Sequence, residues 1–306
     1  LVDPKKDIKP KVLVVTKHTN LDLHGENLAA AVKRGIVDRR RLEQLEFEHS
    51  QHRDRIAEVL SLLESEGLPY MQIHRRDAWP TWPVELVITV GGDGTFLTAC
   101  HAKLLGGPVY AGICSTDASV GYLCGYTKST FKQITEDYRK KSFKLLPRMR
   151  AVVSGLDARR KESAGVVNDI LYSSPHPSST LRYRIEVGLG DKESNDEEFH
   201  KSSGIWISTS AGSTAAISAS GGRKQLFCEP TLQYAVRERY MRPGEILGIP
   251  NTNLFRPGEL KFVNLTQGAI LSLDGRRGEL ELNYGDEVEF SWADPIKFMT
   301  QKKEHS

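Results

Sequence analysis

The chain has 306 residues, enough for one large or two ordinary domains, with the 39% hydrophobic and 26% charged content of an ordinary globular protein. Its 42 basic and 39 acidic residues leave a net charge of +3, so no bulk electrostatic argument favours nucleic acid or a membrane surface, and neither is expected as a partner. No apolar run approaches the roughly 20 residues that a membrane-spanning helix needs.

In chain order, KVLVVT (11–16) is a short apolar strand. Residues 17–50 are charged and weakly periodic, and read as an insertion, helical or mobile. Its basic run from Lys33 to Arg41, like the later one from Arg139 to Lys144, reads as a solvated helix face or end. His49 and His52 stand at i and i+3 near an expected helix start, without further ligands, and do not read as a metal site. HRDRIAEVLSLLESEG (52–67) places Ile56, Val59, Leu60 and Leu63 on one helical face and stops at Gly67. YMQIHRR (70–76) and VELVITV (84–90) are strands, FLTACHAKLL (96–105) a helix, PVYAGIC (108–114) a strand and TFKQITEDYRKK (130–141) a helix. Strands alternating with helices predict a parallel sheet with right-handed crossovers.

After about residue 143 the period changes to two. In TLRYRIEVGLG (180–190), Leu181, Tyr183, Ile185 and Val187 alternate with Arg182, Arg184 and Glu186. GIWISTS, GELKFVNL, GAILSLDG, GELELN and DEVEFSW follow the same style, with Gly, Asp and Asn at the turns. KESND (192–196) reads as a hairpin tip or flexible loop. The division expected is residues 1–143 as an α/β nucleotide-phosphate domain and 144–306 as a β-rich dinucleotide-binding domain. The four cysteines contain no C-x-x-C pair and read as reduced thiols of a cytosol-like compartment. The first residue is Leu, so a trimmed targeting segment is also considered, with the mitochondrial matrix as the alternative to the cytoplasm.

Three stretches carry chemistry. GGDGT (91–95) joins a buried strand to a helix, the junction at which open α/β sheets bind phosphate. It is not a P-loop, because no Gly-Lys-Ser/Thr follows, and its spacing is not that of a dinucleotide fingerprint. Asp93 puts a carboxylate where phosphates arrive, which makes sense if it holds a metal ion or takes a proton from a hydroxyl. In GVVNDILYS (165–173), Asn168 and Asp169 interrupt an apolar strand. An amide can read an adenine edge and a carboxylate can accept from ribose hydroxyls, whereas a buried polar pair without such a use is costly. In GIWISTSAGSTAAISASGG (204–222), a strand runs into small hydroxylated residues around Gly212, where a ligand can lie against the backbone.

In their order and spacing these stretches resemble the NAD kinases, with GGDGT, the Asn168-Asp169 pair and Gly212-Ser213-Thr214-Ala215 as the matching motifs. GICSTDASVGYLCGY (112–126) and HKSSGIW (200–206) look most like the branch with mitochondrial-type NAD kinases and plant NADH kinases. The resemblance covers about Lys11 to Trp292. It implies an α/β N-terminal domain with a parallel sheet, a C-terminal β-rich domain, and an active site in the cleft between them. It implies phosphorylation of the adenosine ribose 2′-hydroxyl of NAD(H) by ATP with Mg2+ or Mn2+, for which no protein ligand is assigned. By that resemblance Asp93 is the general base, Gly92, Gly94 and Thr95 lie near the phosphates, and Asn168 and Asp169 bind the dinucleotide. Gly212 and Ser213 join them, Thr214 and Ala215 line the adenine or ribose pocket, and a homo-oligomer (dimer or tetramer) is expected. Ser203 and Gly204 stand where most of the family has Asp-Gly, so Ser203 is counted among the substrate-binding positions. Ser210, Ala211 and Ala216 replace a proline, a threonine and a tyrosine, which bears on the choice between NAD+ and NADH. The alternatives are a lipid kinase with a GGDGT loop and a dinucleotide-binding sensor without catalysis.

Overall fold

The computed structural model describes residues 9–117, 121–188, 196–245 and 248–301. The expected loop at 192–196 lies outside them except for Asp196, which begins a strand. The described chain forms two compact units, one holding the residues up to Leu145 together with those from Ile296, the other Leu146–Pro295. The expected division at 143/144 assigns residues 296–301 to the second domain, whereas here they pack with the first.

The first unit is α/β. Strand β1 (Val12–Thr16) is followed by helices α1 (Asn20–Lys33) and α2 (Arg39–Ser65), then β2 (Tyr70–His74), β3 (Leu86–Gly91), α3 (Asp93–His101), β4 (Val109–Cys114) and α4 (Ile134–Arg139). The sheet order is β2-β1-β3-β4, all parallel, and Lys297–Met299 add a fifth parallel segment beside Val109–Ala111. β1 and β3 are buried along their whole length, as continuous apolar runs covered on both faces must be. Val59 and Leu63 of α2 pack against Val12, Ile88 and Val90.

The stretch 17–50 is helical. Thr19 caps α1 through a capping box with Asp22, and Asp38 caps α2, which starts 13 residues earlier than the apolar pattern predicts. The reason lies in its buried stripe of Leu45, His52, Arg55, Val59 and Leu63, where two polar side chains hide the periodicity.

The second unit is β-rich. It comprises β5 (Lys144–Ser154), β6 (Arg160–Glu162), β7 (Asp169–Ser173), β8 (Leu181–Val187), β9 (Asp196–Ser202), β10 (Gly204–Ser208), β11 (Leu232–Arg237), β12 (Thr252–Phe255), β13 (Leu260–Asn264), β14 (Ala269–Leu273), β15 (Gly278–Leu282) and β16 (Glu287–Met299), whose last residues belong to the first unit. One antiparallel sheet runs β12-β11-β10-β7-β14-β15; in the other, β13 lies between β16 and β8, with β9 beyond β8. Inward side chains of both, among them Tyr172, Ile205, Leu271, Tyr183, Phe262 and Phe290, form one core. β8 buries Leu181, Tyr183, Ile185 and Val187 and turns Arg182, Arg184 and Glu186 outward, as its alternation predicts.

Candidate active site

In the first unit, sheet order fixes where a ligand goes. β1 is followed in space by β2 on one side and β3 on the other, so the crevice outside their carboxyl ends is a topological switch point. A cavity of about 370 Å3 lies there. Each strand end supplies part of its wall: Lys17 and His18 after β1, Arg75 after β2, Gly92, Gly94 and Thr95 after β3, and Ser115 and Thr116 after β4. Gly92 is the N-cap of α3, so the helix N-terminus lies at the cavity wall.

The glycines differ in what they do. A Cβ on Gly91 would overlap Thr95 Oγ1, whereas a Cβ on Gly92 meets nothing within 4 Å. Gly91 is required by packing, and Gly92 leaves the backbone open to approach. Burial and the neighbouring Arg75 guanidinium hold the Lys17 ammonium below its ordinary range. Glu48 lines the same cavity, and its charge offsets part of this repulsion. Thr95 Oγ1 and Ser115 Oγ are buried at the same wall without a hydrogen-bond partner among the described residues. Amides, hydroxyls and two cations, with one carboxylate, are chemically able to hold a phosphate chain.

Asp93 begins α3, but its carboxylate turns to the chain after β4. Oδ2 accepts from Tyr122 N at 2.9 Å and Oδ1 from Leu123 N at 2.8 Å. Among the described residues no group of three or more His, Cys, Asp or Glu side chains could hold a metal ion, so the residues present do not make a protein-built metal site. His49 and His52 serve the fold: His49 Nδ1 lies 2.8 Å from Thr19 Oγ1, and His52 Nε2 donates to the Lys17 carbonyl at 2.9 Å.

In the second unit, β7 pairs with β10 so that Asp169 stands opposite Ser208. This brings the Asn168-Asp169 pair to the start of the glycine-serine run. Thr209 N donates to Asn168 O at 2.9 Å and Ser208 Oγ to the same oxygen at 3.2 Å. A Cβ on Gly212 would collide with that carbonyl, so the close approach demands glycine. Ser213 is buried, its hydroxyl donating to Ser210 O at 2.7 Å, while Thr214 and Ala215 are partly exposed. Asn168 Oδ1 has no hydrogen-bond partner among the described residues. Burial, with the neighbouring Asp274 charge, pushes the Asp169 carboxyl up to about 7. Ser203 is not part of this cluster: it precedes β10, at the other end from Thr209, about 20 Å of extended strand away.

Sequence reasoning missed Lys17, Arg75 and Ser115. The signal was available for Lys17 and Ser115, which directly follow predicted parallel strands at the sheet edge where ligands bind; Arg75 was read as part of the strand 70–76, which ends at His74.

Comparison with known proteins agrees with this architecture. No protein-family model matches the sequence. A probable NADH kinase of Oryza sativa subsp. japonica is 30% identical over 266 residues, covering 80% of this chain and 80% of its own. The fold is shared with two solved structures. An NAD kinase from Archaeoglobus fulgidus in complex with ATP has TM-score 0.62 and 16% identity, covering 96% of this chain and 95% of its own. Yeast NADH kinase complexed with NADH has TM-score 0.65 and 13% identity, covering 96% and 84%. The chain belongs to the NAD kinase family. It is an enzyme of that family, and the lipid-kinase and sensor alternatives are not favoured.

Proposed function

We propose that this protein transfers the terminal phosphoryl group of ATP to the adenosine ribose 2′-hydroxyl of NAD(H), giving NADP(H). The observation that carries the donor half is the cavity at the β1/β3 switch point, where Lys17, Arg75, the α3 N-terminus and two unpartnered hydroxyls suit a phosphate chain. The acceptor half rests on Asn168 and Asp169, held against the Gly212 run. In this reading Asn168 Oδ1 accepts from the adenine amino group and Asp169 from a ribose hydroxyl, beside Ser213, Thr214 and Ala215. Asp93 is the base for the reacting hydroxyl. A carboxylate has about four lone-pair sites, so its two backbone bonds leave acceptor capacity for that proton. Mg2+ or Mn2+, for which the described residues offer no site of their own, would supply charge neutralisation as part of the nucleotide substrate. Ser203 is assigned a role away from the adenosine cluster.

The reading extends to a homo-oligomer in the cytoplasm or mitochondrial matrix. No helix among the described residues is long and apolar enough to cross a membrane. The test of function is product identity. Purified protein with NAD(H), ATP and Mg2+ should yield ADP and a dinucleotide accepted by an NADP-specific dehydrogenase, in equal amounts. ATP hydrolysis without that product, from folded protein, overturns the reading.

A further inference from the structure

The turn at 167–169 presents a problem of backbone accounting. β7 begins only at Asp169, so the amides just before it lack strand partners, and buried amides must be paired. One side chain pairs three of them. Asp274 Oδ2 accepts from Val167 N at 2.9 Å, and its Oδ1 accepts from Asn168 N at 2.7 Å and Asp169 N at 3.1 Å. The contact is reciprocal, since Asp274 N donates to Asp169 O at 2.9 Å. Sheet register makes it possible: β14 pairs antiparallel with β7, Leu273 opposite Ile170, so the next residue on one strand meets the preceding residue on the other.

The arrangement is costly. Asp274 lies in the left-handed region at φ 45°, and it is 2% exposed beside Asp169, which is 6% exposed. Two buried carboxylates side by side repel. Arg277 offsets part of this, its guanidinium donating to the Asp274 carbonyl and favouring the charged form of Asp169. A turn needing only fold stability would be served without the second carboxylate. The cost is explained if the turn exists to display Asn168 and Asp169 in one fixed geometry.

We propose that Asp274 is a positioning residue for the dinucleotide: by holding the three amides of 167–169 it sets the two side chains that meet the adenosine half. This rests on the reading of Asn168 and Asp169 given above. Asp274 touches no substrate itself. The charged groups around Asp169 are Asp274 and Arg277, so neutralising the first also moves the pH at which Asp169 ionises.

The experiment compares Asp274→Asn, Asn168→Ala and Asp286→Asn by two-substrate kinetics, with melting temperatures. Asp286 is an equally buried carboxylate (4% exposed) that accepts from Asn283 N at 2.8 Å, in a turn with no part in the site. Asp274→Asn should raise the NAD(H) KM roughly tenfold or more, the scale of a lost charge-assisted contact, with the ATP KM within about twofold. The pH dependence of its NAD(H) KM should shift to lower pH. Asp286→Asn should lower the melting temperature and move neither KM. An Asp274→Asn protein with an unchanged NAD(H) KM, or with both KM values raised alike and no shift in the pH profile, overturns the proposal. If Asn168→Ala also leaves the NAD(H) KM unchanged, the site reading has failed; if it alone raises that KM, the positioning role has. Hydrogen exchange on the wild-type protein is independent of any variant's folding. Saturating NADH should slow exchange of a peptide covering 167–169 and not one covering 283–286, and equal rates with and without NADH overturn the proposal.

Discussion

Asp93 serves two demands with one carboxylate, a clamp on the chain at Tyr122 and Leu123 and the proposed base. Asp93→Asn keeps one acceptor oxygen but turns an amino group toward a backbone N–H. We expect the turnover number to fall about 10²–10⁴-fold, the usual contribution of a general base, with NAD(H) affinity by calorimetry within a few-fold. Unchanged turnover with a lowered melting temperature would make Asp93 a clamp alone. At this scale the sequence was legible where glycine chemistry is local. GGDGT announces itself because three glycines around one aspartate directly follow a buried strand. Lys17, Arg75 and Ser115 carry no such mark: a lysine after one strand and a serine after another mean nothing until sheet order brings them to one cavity. Asp274 was hidden differently, because Asp-Gly after a strand reads as an ordinary hairpin turn.

Among the elements, β1, β3 and β8 were read almost residue by residue, since period-two alternation and buried β-branched runs leave little choice, whereas β5, β6, β9, β11 and β12 were not read as strands at all. Helix α2 was cut short by the same logic. Its buried face includes His52, bonded to the Lys17 carbonyl, and Arg55, so an apolar template fails just where the helix serves its neighbours. The junction of β7 with β10 supports a sharper prediction. Gly212→Ala places a methyl group on the Asn168 carbonyl oxygen, which is held by Thr209 N and Ser208 Oγ and cannot retreat freely. Overpacking of this kind costs about 1–3 kcal/mol, so urea unfolding should shift by that amount and NAD(H) binding should weaken with it. Full stability with unaltered NAD(H) affinity would show that the close approach is dispensable.

For the molecule as a whole, the raised Asp169 carboxyl couples stability to pH. The folded state holds this proton more tightly than the unfolded chain, whose aspartates titrate near 3.9. The stability it contributes is therefore fully present below about pH 4 and lost as pH rises through about 7. Asp169→Asn should remove that slope, so the gap between variant and wild-type unfolding free energies should widen from pH 4 to 7 and then level off. A gap independent of pH would show that Asp169 titrates normally. The central claim is that separate residue sets hold the two substrates, phosphate donor at the switch-point cavity and dinucleotide at the Asn168 turn. Two-substrate steady-state kinetics of Lys17→Met and Asn168→Ala, side by side, test it most directly. A charged-group contact is worth about 1.5–3 kcal/mol, so Lys17→Met should raise the ATP KM roughly 10- to 100-fold and leave the NAD(H) KM within about twofold. Asn168→Ala should do the reverse. Both variants raising both constants alike, or neither raising either, would contradict the account.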